Sequence, residues 1–432
     1  MSDATSTGAR GWLSVIFNIL TCLVILGATA AGVWWINRTE PKAEQINHRR
    51  KSAALVETIT VERKDWSPRL VVLGTVRPAQ DIVLSPRVRG QVLSLSPSFV
   101  PGGMIQKGEL LLQIDPADFD KQYGIEILRL WTASADYTED LRISDEIIKG
   151  AVENYRRLRN TMRYLLGALH GFTAEEAVLP VEMPSLETWV LHRLAELDET
   201  VRKAYDEHDF KRVMTALLNF CSVDLSAVYF DIRKDSLYCD APSDVRRRSA
   251  RTVMAAILER LLAWLAPIMP FTTEETFLMS AFANRADSVH LLQFPETPLD
   301  WKDADLAARW EKIFRVRRVV TGAIEVERRE KRIRSSLEAA PTVFISDAEL
   351  LAAYENEVAE DIFITSQAEL VSTEAPADAF RLPEEAGVAV LPGQASGVKC
   401  ARSWKYFDPA TADPEFPDVT PRDAAAIREI RG

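Results

Sequence analysis

Residues Phe210 to Cys239 read FKRVMTALLNFCSVDLSAVYFDIRKDSLYC and decide the fold of the region around them. Their apolar side chains recur at intervals of three and four residues, which is typical of a helix with one buried face. Those apolar positions are Val213, Ala216, Leu217, Phe220, Leu225, Val228, Tyr229 and Ile232. Polar residues stand beside this stripe, where an ordinary helix carries Leu or Ala. The periodicity therefore predicts a core helix of a bundle with a charged end.

Four further stretches extend this pattern along the chain. They are YGIEILRLW at Tyr123–Trp131, YRRLRNTMRYLLG at Tyr155–Gly167, WLAPIMPF at Trp264–Phe271 and SSLEA at Ser335–Ala339. In this order, and together with residues 210–239, they resemble the C-terminal anticodon-binding region of the isoleucyl-tRNA synthetases, which are class I enzymes. The resemblance implies an anticodon-binding helical bundle over residues 121–295 and a basic helix with a small α/β junction over residues 296–372. The implied partner is the isoleucine tRNA.

The most basic stretch is Trp310 to Ile333, whose apolar positions predict a helix that packs on the bundle. Its cations form either a solvated charged face or a surface that follows the phosphates of an RNA stem. The resemblance favours the second alternative, with loop bases stacked on aromatic or guanidinium planes. The predicted tRNA-binding residues are Arg315, Arg317, Arg318, Lys331 and Arg332 for phosphate, with Arg402 and Trp404 near the anticodon loop.

The tail, residues 373–432, contains KCARSWK at Lys399–Lys405 and resembles a degenerate form of the terminal zinc module of the same family. Tetrahedral zinc needs four N or S ligands, which that module supplies as two C-x-x-C pairs. The corresponding positions here are Cys400, Ser403, Thr420 and Asp423. One thiolate remains of four, so we expect no zinc and no other cofactor. We expect packing around Trp404 and Tyr406 to replace the metal.

The motifs of the class I catalytic core do not occur in this sequence. That core binds ATP through HIGH and KMSKS strings, and neither is present. A Walker loop, a G-x-G-x-x-G fingerprint and a nucleophile elbow are also absent, and no editing domain is recognised. We therefore expect no catalytic residue and no ligase activity from this chain alone.

An uncharged stretch of 25 residues, Trp12 to Ile36, lies near the N-terminus. It is long enough to cross a bilayer core of about 30 Å, and Trp34 and Trp35 lie at one end, where interfacial anchors occur. No small-residue cleavage site is evident, which favours an uncleaved anchor over a signal peptide. We expect residues 1–37 to form a transmembrane helix in the inner membrane. The greater positive charge after the span would place the following segment in the cytoplasm.

Residues 53–120 alternate with the period of β-strands. Leu55–Val61 and Leu70–Val76 alternate, and residues 101–103 mark a turn before Leu110–Ile114. This unit resembles a lipoyl-like half-motif of the periplasmic adaptors, the membrane fusion proteins of efflux pumps. The resemblance implies an inner-membrane pump subunit as partner. The adaptor pattern stops at the end of this range, so we expect half a domain with an exposed sheet edge.

The composition describes ordinary globular material, with 432 residues, 47% hydrophobic and 27% charged. The net charge of −11 divides into +3 for residues 1–121 and −14 for the remainder. An acidic region that binds RNA must concentrate its cations locally. The four cysteines contain no C-x-x-C pair and predict neither a disulfide framework nor a complete cysteine metal site.

The sequence as a whole predicts a multidomain, mainly α chain. Its parts are an N-terminal transmembrane helix, a short β lipoyl-like half-domain, an α-helical anticodon-binding bundle and a small α/β C-terminal module. Three functions stay open. The chain is a tRNA-binding portion of an isoleucine–tRNA ligase without its catalytic and editing domains, fused to a membrane anchor. Alternatively it is a periplasmic adaptor, or a chimeric or misassembled sequence, joined near residues 119–123, without integrated function. The first two require opposite compartments, so the orientation of the anchor separates them.

Overall fold

The computed structural model describes residues 9–39, 60, 92–114, 124–282 and 285–431. The chain divides into two compact units, residues 1–82 and residues 83–432, and each is described by itself. The first unit contains helix α1, Ala9–Thr39. The second contains a β-hairpin, a helical bundle, a small mixed sheet and a terminal module.

Helix α1 is apolar and exposed along its described side chains. An 18-residue window within Ile16–Thr39 has a mean hydropathy of 2.1, and none of that window is buried. The Thr21 and Thr29 hydroxyls donate to carbonyls four residues earlier, Phe17 at 2.8 Å and Ile25 at 3.0 Å. Such bonds satisfy hydroxyl groups where no water is available. The predicted helix is confirmed, and its crossing of a membrane stays a prediction. The helical stretch Phe210–Cys239 is also long and apolar enough to cross a bilayer, with a mean hydropathy of 1.5 over an 18-residue window, but 44% of that window is buried.

Strands β1, Val92–Leu95, and β2, Leu112–Ile114, pair antiparallel as a two-stranded hairpin. The turn that connects them contains Gly102 at φ +82°. A Cβ on Gly103 would lie 2.1 Å from the Ser98 carbonyl oxygen, so only glycine fits there. The hairpin agrees with the predicted turn and last strand. The predicted strands at 70–76 and nearly all of 55–61 lie outside the described residues, and the lipoyl-like unit stays a prediction.

Eight helical segments form the bundle within the described residues. They are α2 Ile125–Ser134, α3 Asp145–Ala168, α4 Ser185–Asp206, α5 Phe210–Asn219, a π-helical segment Phe220–Tyr229, α6 Phe230–Cys239, α7 Val245–Leu265 and α8 Pro270–Leu278. Helix α7 is the centre of the core, because almost every side chain from Ser249 to Leu265 is buried. Pro184 directly precedes α4, and Pro270 opens α8, as expected of a proline at the first helical turn.

The predicted helix at 210–239 is confirmed, with a π-helical segment at its centre. Its buried residues Cys221, Leu225 and Tyr229 recur every four positions rather than every 3.6. A wider helical turn keeps such a stripe on one face, which accounts for the π geometry in the middle of this element.

Helix α9, Ala304–Arg329, buries Trp310, Ile313, Val316, Val319 and Val320 against the bundle and a small sheet. That sheet has the order β4-β3-β5, with β3 Thr342–Ile345, β4 Glu369–Val371 and β5 Val388–Leu391. Strand β3 pairs parallel with β4 and antiparallel with β5. Short helices α10, Ala348–Ala352, and α11, Ala359–Phe363, connect β3 to β4. Helix α9 lies where the basic helix is predicted, but the sheet includes β5 beyond residue 372, so the bounds of the α/β junction stay a prediction.

The terminal module contains β6 Val398–Lys399, β7 Tyr406–Phe407 and α12 Pro421–Arg431. Its separate core consists of Cys400, Phe407, Val419 and Ala424. The expectation that this module packs around Trp404 is wrong, because that side chain is 61% exposed. The backbone at Trp404 adopts φ +63°, a left-handed turn that directs the indole away from the small core.

Candidate nucleic-acid interface

Helix α3 presents an arginine-rich face to solvent. Ser144 caps its N-terminus, since the Ser144 Oγ accepts a hydrogen bond from the Ile147 N–H at 3.3 Å. The exposed arginines of this helix are Arg156, Arg157, Arg159 and Arg163. The first of these pairs with Glu153 at 2.6 Å, while the other three form no ion pair with any described residue. Unpaired guanidinium groups on one helix form a surface suited to phosphate.

A groove of about 640 Å³, the first groove, lies between α3 and the helical stretch 220–239. Helix α3 supplies Arg157, Asn160 and Tyr164 to its lining. The opposite wall consists of Cys221, Ser222, Ser226, Phe230, Asp231 and Lys234. Hydroxyl, amide and cationic groups thus line this groove together with the aromatic rings of Tyr164 and Phe230.

Tyr164 is the one tyrosine among the residues that line the first groove. Its ring lies 4.4 Å from that of Phe230, at an interplanar angle of 31°. Burial raises the pKa of Tyr164, so the phenol stays protonated at neutral pH. The Tyr164 Oη is buried without a hydrogen-bond partner among the described residues. Burying a hydroxyl in that state costs free energy, so Tyr164 contributes an aromatic wall to the groove and no accessible donor.

A second groove of about 410 Å³ continues from the first, and the two share Asp231 and Lys234. Its rim carries two exposed aromatic side chains, Tyr238 at 64% and Trp404 at 61%. The Lys399 Nζ lies 5.3 Å from the centroid of the Trp404 ring. Exposed aromatic rings beside cations are the usual stacking platform for single-stranded bases.

Ion pairs from the terminal module to α6 and α11 form part of the wall of the second groove. The Lys405 ammonium contacts Asp361 at 2.6 Å and Asp235 at 3.5 Å. Arg422 donates to both carboxylate oxygens of Asp235. Burial alone would raise the pKa of Asp235, but Arg422 and Lys405 lower it below its ordinary value. The Arg402 guanidinium donates to the Tyr238 carbonyl at 3.0 Å, which fixes the Trp404 turn against α6.

Two of the predicted phosphate-binding residues, Arg315 and Arg318, lie away from these grooves. Both guanidinium groups pair with the buried carboxylate of Glu385, Arg315 at 2.9 Å. They help to line a different cavity, formed with α4. These ion pairs connect α9 to the segment that precedes β5.

Of the other predicted phosphate-binding residues, Arg317 and Arg332 contact groups of this chain, and Lys331 is exposed. Arg317 is 14% exposed and donates to the Ile362 carbonyl at 3.0 Å. Arg332 pairs with Glu327 at 2.5 and 2.6 Å. Lys331 is exposed at φ +59° and forms no ion pair with any described residue.

The structure thus brings Arg402 and Trp404 together in the second groove and disperses the other five predicted residues. RNA contact by any of the seven stays a prediction. Sequence reasoning missed Arg157, Tyr164 and Lys234 as lining residues. A signal was available, because four arginines fall within eight positions of α3.

Comparison with known proteins assigns the central part of this region. Residues 187–343 match the family model described as the anticodon-binding domain of tRNA ligase. Residues 187–343 are therefore similar to that domain over 157 of the 432 residues. Within this range lie the π segment, α6 and α9, whereas the arginines of α3 precede it and the Trp404 turn follows it.

The C-terminal region is similar in sequence to isoleucine–tRNA ligases. The ligase of Agrobacterium fabrum is 53% identical over 317 residues, which are 73% of this chain and 32% of that protein. The ligase of Brucella abortus is 50% identical over 318 residues, with 74% and 32% covered. That of Bartonella henselae is 49% identical over 316 residues, with 73% and 32% covered. The chain spans about a third of the length of these curated relatives.

Among solved structures, a ternary complex of Agrobacterium radiobacter K84 agnB2 LeuRS with tRNA and LeuAMS aligns with a TM-score of 0.34 at 15% identity. It covers 45% of this chain and 22% of that one. The likeness is too slight to carry an argument about this fold.

Proposed function

We propose that this chain binds the anticodon arm of a tRNA, and that the tRNA is the acceptor for isoleucine. The observation that carries the proposal is the anticodon-binding domain at residues 187–343. Identities of 49–53% to isoleucine–tRNA ligases support the choice of tRNA. The two continuous grooves beside that domain supply cations, hydroxyl groups and exposed aromatic rings, which are the chemistry that RNA loops require.

In this proposal the two grooves have different tasks. The arginines of α3 and Lys234 neutralise phosphates of the arm. Unstacked loop bases lie on Tyr238 and Trp404, where each stack contributes about 1–3 kcal/mol.

A binding titration with the full-length chain in detergent tests the proposal. The ligands are the isoleucine tRNA transcript and the same transcript with an altered anticodon, each at several salt concentrations. We expect tighter binding of the unaltered transcript and an affinity that falls linearly on a log–log salt plot. Arg157→Glu with Arg163→Glu should weaken binding and reduce the salt slope by about one per lost phosphate contact.

Arg212→Glu is the matched control, because Arg212 is an exposed bundle arginine that lines neither groove. Equal affinities for both transcripts would contradict the isoleucine assignment. Binding unchanged by the α3 substitutions would contradict the location of the site.

We propose further that the chain does not aminoacylate tRNA by itself, since neither ATP-binding motif of a class I core occurs in its sequence. Isoleucine-dependent pyrophosphate exchange by the purified chain would overturn this.

We also propose attachment to the inner membrane through residues 12–36, supported by the exposed apolar surface of α1. The adaptor alternative rests on the sequence resemblance of residues 12–120 alone, and we do not propose it.

A further inference from the structure

The four positions that correspond to zinc ligands in the terminal module converge on one carboxylate oxygen. The Asp423 Oδ2 accepts hydrogen bonds from the Cys400 Sγ at 3.0 Å, the Ser403 Oγ at 2.7 Å and the Thr420 Oγ1 at 2.8 Å. Asp423 and Cys400 are fully buried, and Ser403 is 8% exposed. These four residues are named the Asp423 hub.

The charge of the hub is balanced within the module and at its border with the bundle. The other carboxylate oxygen, Asp423 Oδ1, lies 3.3 Å from the Arg422 guanidinium and 3.9 Å from that of Arg402. A buried carboxylate needs such partners, because an unpaired one is strongly destabilising. The two guanidinium groups therefore balance the Asp423 charge without a metal ion.

The donor set of the hub does not fit zinc. Structural zinc takes thiolate, imidazole or carboxylate ligands, and two of these four positions are neutral hydroxyls. Both hydroxyls are already donating to Asp423. Within the described ranges, no three His, Cys, Asp or Glu side chains group together as a metal site would require.

Two hub residues also have a local task at the start of α12. The Thr420 Oγ1 accepts a hydrogen bond from the Asp423 N–H at 3.1 Å, which caps the helix. Pro421 occupies the first helical position, where its missing N–H costs nothing. Thr-Pro-Arg-Asp is thus a helix start in its own right, independent of any metal.

We propose that the Asp423 carboxylate takes the place of the zinc ion in this module. Its hydrogen bonds tie the Cys400–Lys405 turn to the start of α12, as a metal would by binding one pair of ligands from each. The hub thereby holds Arg402 and Trp404 at the second groove without a cofactor. The role of Arg402 and Trp404 at that groove rests on the proposed tRNA binding. The metal independence of the module does not.

The first test compares the full-length chain before and after dialysis against a zinc chelator. The readouts are the zinc content per chain and amide hydrogen exchange over residues 398–431. We expect no stoichiometric zinc and no change in exchange. One zinc per chain, with protection of this segment lost on chelation, would overturn the proposal whatever the tRNA affinity.

The second test uses Asp423→Ala, with Asp413→Ala as its matched control. Asp413 belongs to the same module but pairs with Arg428 outside the hub, at 2.6 Å. Loss of three hydrogen bonds to a charged group should speed exchange in the Cys400–Lys405 turn at least about tenfold. The control should leave it unchanged. Exchange in Asp423→Ala equal to that of the unaltered chain would sink the proposal.

The third test restores the ligands by combining Ser403→Cys, Thr420→Cys and Asp423→Cys. With Cys400 this variant has four thiols at the hub positions, so it should bind one zinc and become sensitive to the chelator. A variant that takes up no zinc would contradict the correspondence between the hub and a metal site. This gain of binding does not depend on how well Asp423→Ala folds.

Discussion

At the scale of single residues, a buried ion pair between Arg233 and Glu187 lies in the bundle. The Arg233 guanidinium donates to both oxygens of the Glu187 carboxylate, each at 2.7 Å, and Glu187 is completely buried. Burial alone would lower the pKa of Arg233, but the Glu187 carboxylate raises it, so the guanidinium stays charged. The Tyr229 hydroxyl completes the cluster at 3.3 Å from Glu187.

We predict that Arg233→Met lowers the free energy of unfolding by about 3–5 kcal/mol, because it leaves the Glu187 carboxylate buried and unpaired. Adding Glu187→Leu to this substitution should recover most of the loss. The control is Arg156→Met, which removes an exposed pair with Glu153 and should cost about 0–1 kcal/mol. Denaturant midpoints followed by Trp fluorescence measure all three. An Arg233→Met midpoint equal to that of the control would refute the prediction.

At the scale of elements, periodicity predicted the helix at 210–239 and the apolar face of the basic helix, since both follow from neighbours along the chain. The partners of the basic side chains do not. Glu385 lies 70 positions beyond Arg315, so its pairing with that arginine depends on the tertiary fold. The outward turn of Trp404 depends on one backbone angle. The sequence therefore indicated the elements and the class of site, but only Arg402 and Trp404 of the predicted contacts reach the second groove.

The docking of the terminal module on α11 should depend on pH through Asp361. Burial alone would raise the pKa of Asp361, but Lys405 and Arg246 lower it below its ordinary value. The carboxylate therefore stabilises the docked state above its unfolded pKa of about 3.9, and this contribution is lost as the pH falls through the lower folded value. We predict that Asp361→Asn speeds amide hydrogen exchange in the terminal module at pH 7. Below about pH 4, the additional loss of protection should be smaller in this variant than in the unaltered chain.

The matched control for this prediction is Glu415→Gln, since Glu415 pairs with Arg428 inside the terminal module. Its exchange profile should follow that of the unaltered chain at every pH. If Asp361→Asn keeps full protection at pH 7, the Lys405 pair does not contribute to docking.

At the scale of the whole molecule, the native cysteines can report whether α1 enters a bilayer. Cys22 lies in the middle of the apolar stretch and is exposed, whereas Cys221, Cys239 and Cys400 are buried. Burial raises the pKa of Cys221 to about 12, so its thiol is protonated and inert at neutral pH. The folded chain therefore offers Cys22 alone to a thiol reagent.

We predict that a membrane-impermeant maleimide labels no cysteine of the folded chain in lipid vesicles, because the hydrocarbon core shields Cys22. Moving the thiol to the helix end, as Thr39→Cys in a Cys22→Ser background, should restore one label in that fraction of chains whose C-terminal helix end faces outward. Unfolding the Cys22→Ser chain in urea should expose the three buried thiols as a reference. Labelling of Cys22 in vesicles at the rate found for Thr39→Cys would show that α1 remains in water. The apolar surface of Ile16–Ile36 would then need a protein partner to cover it.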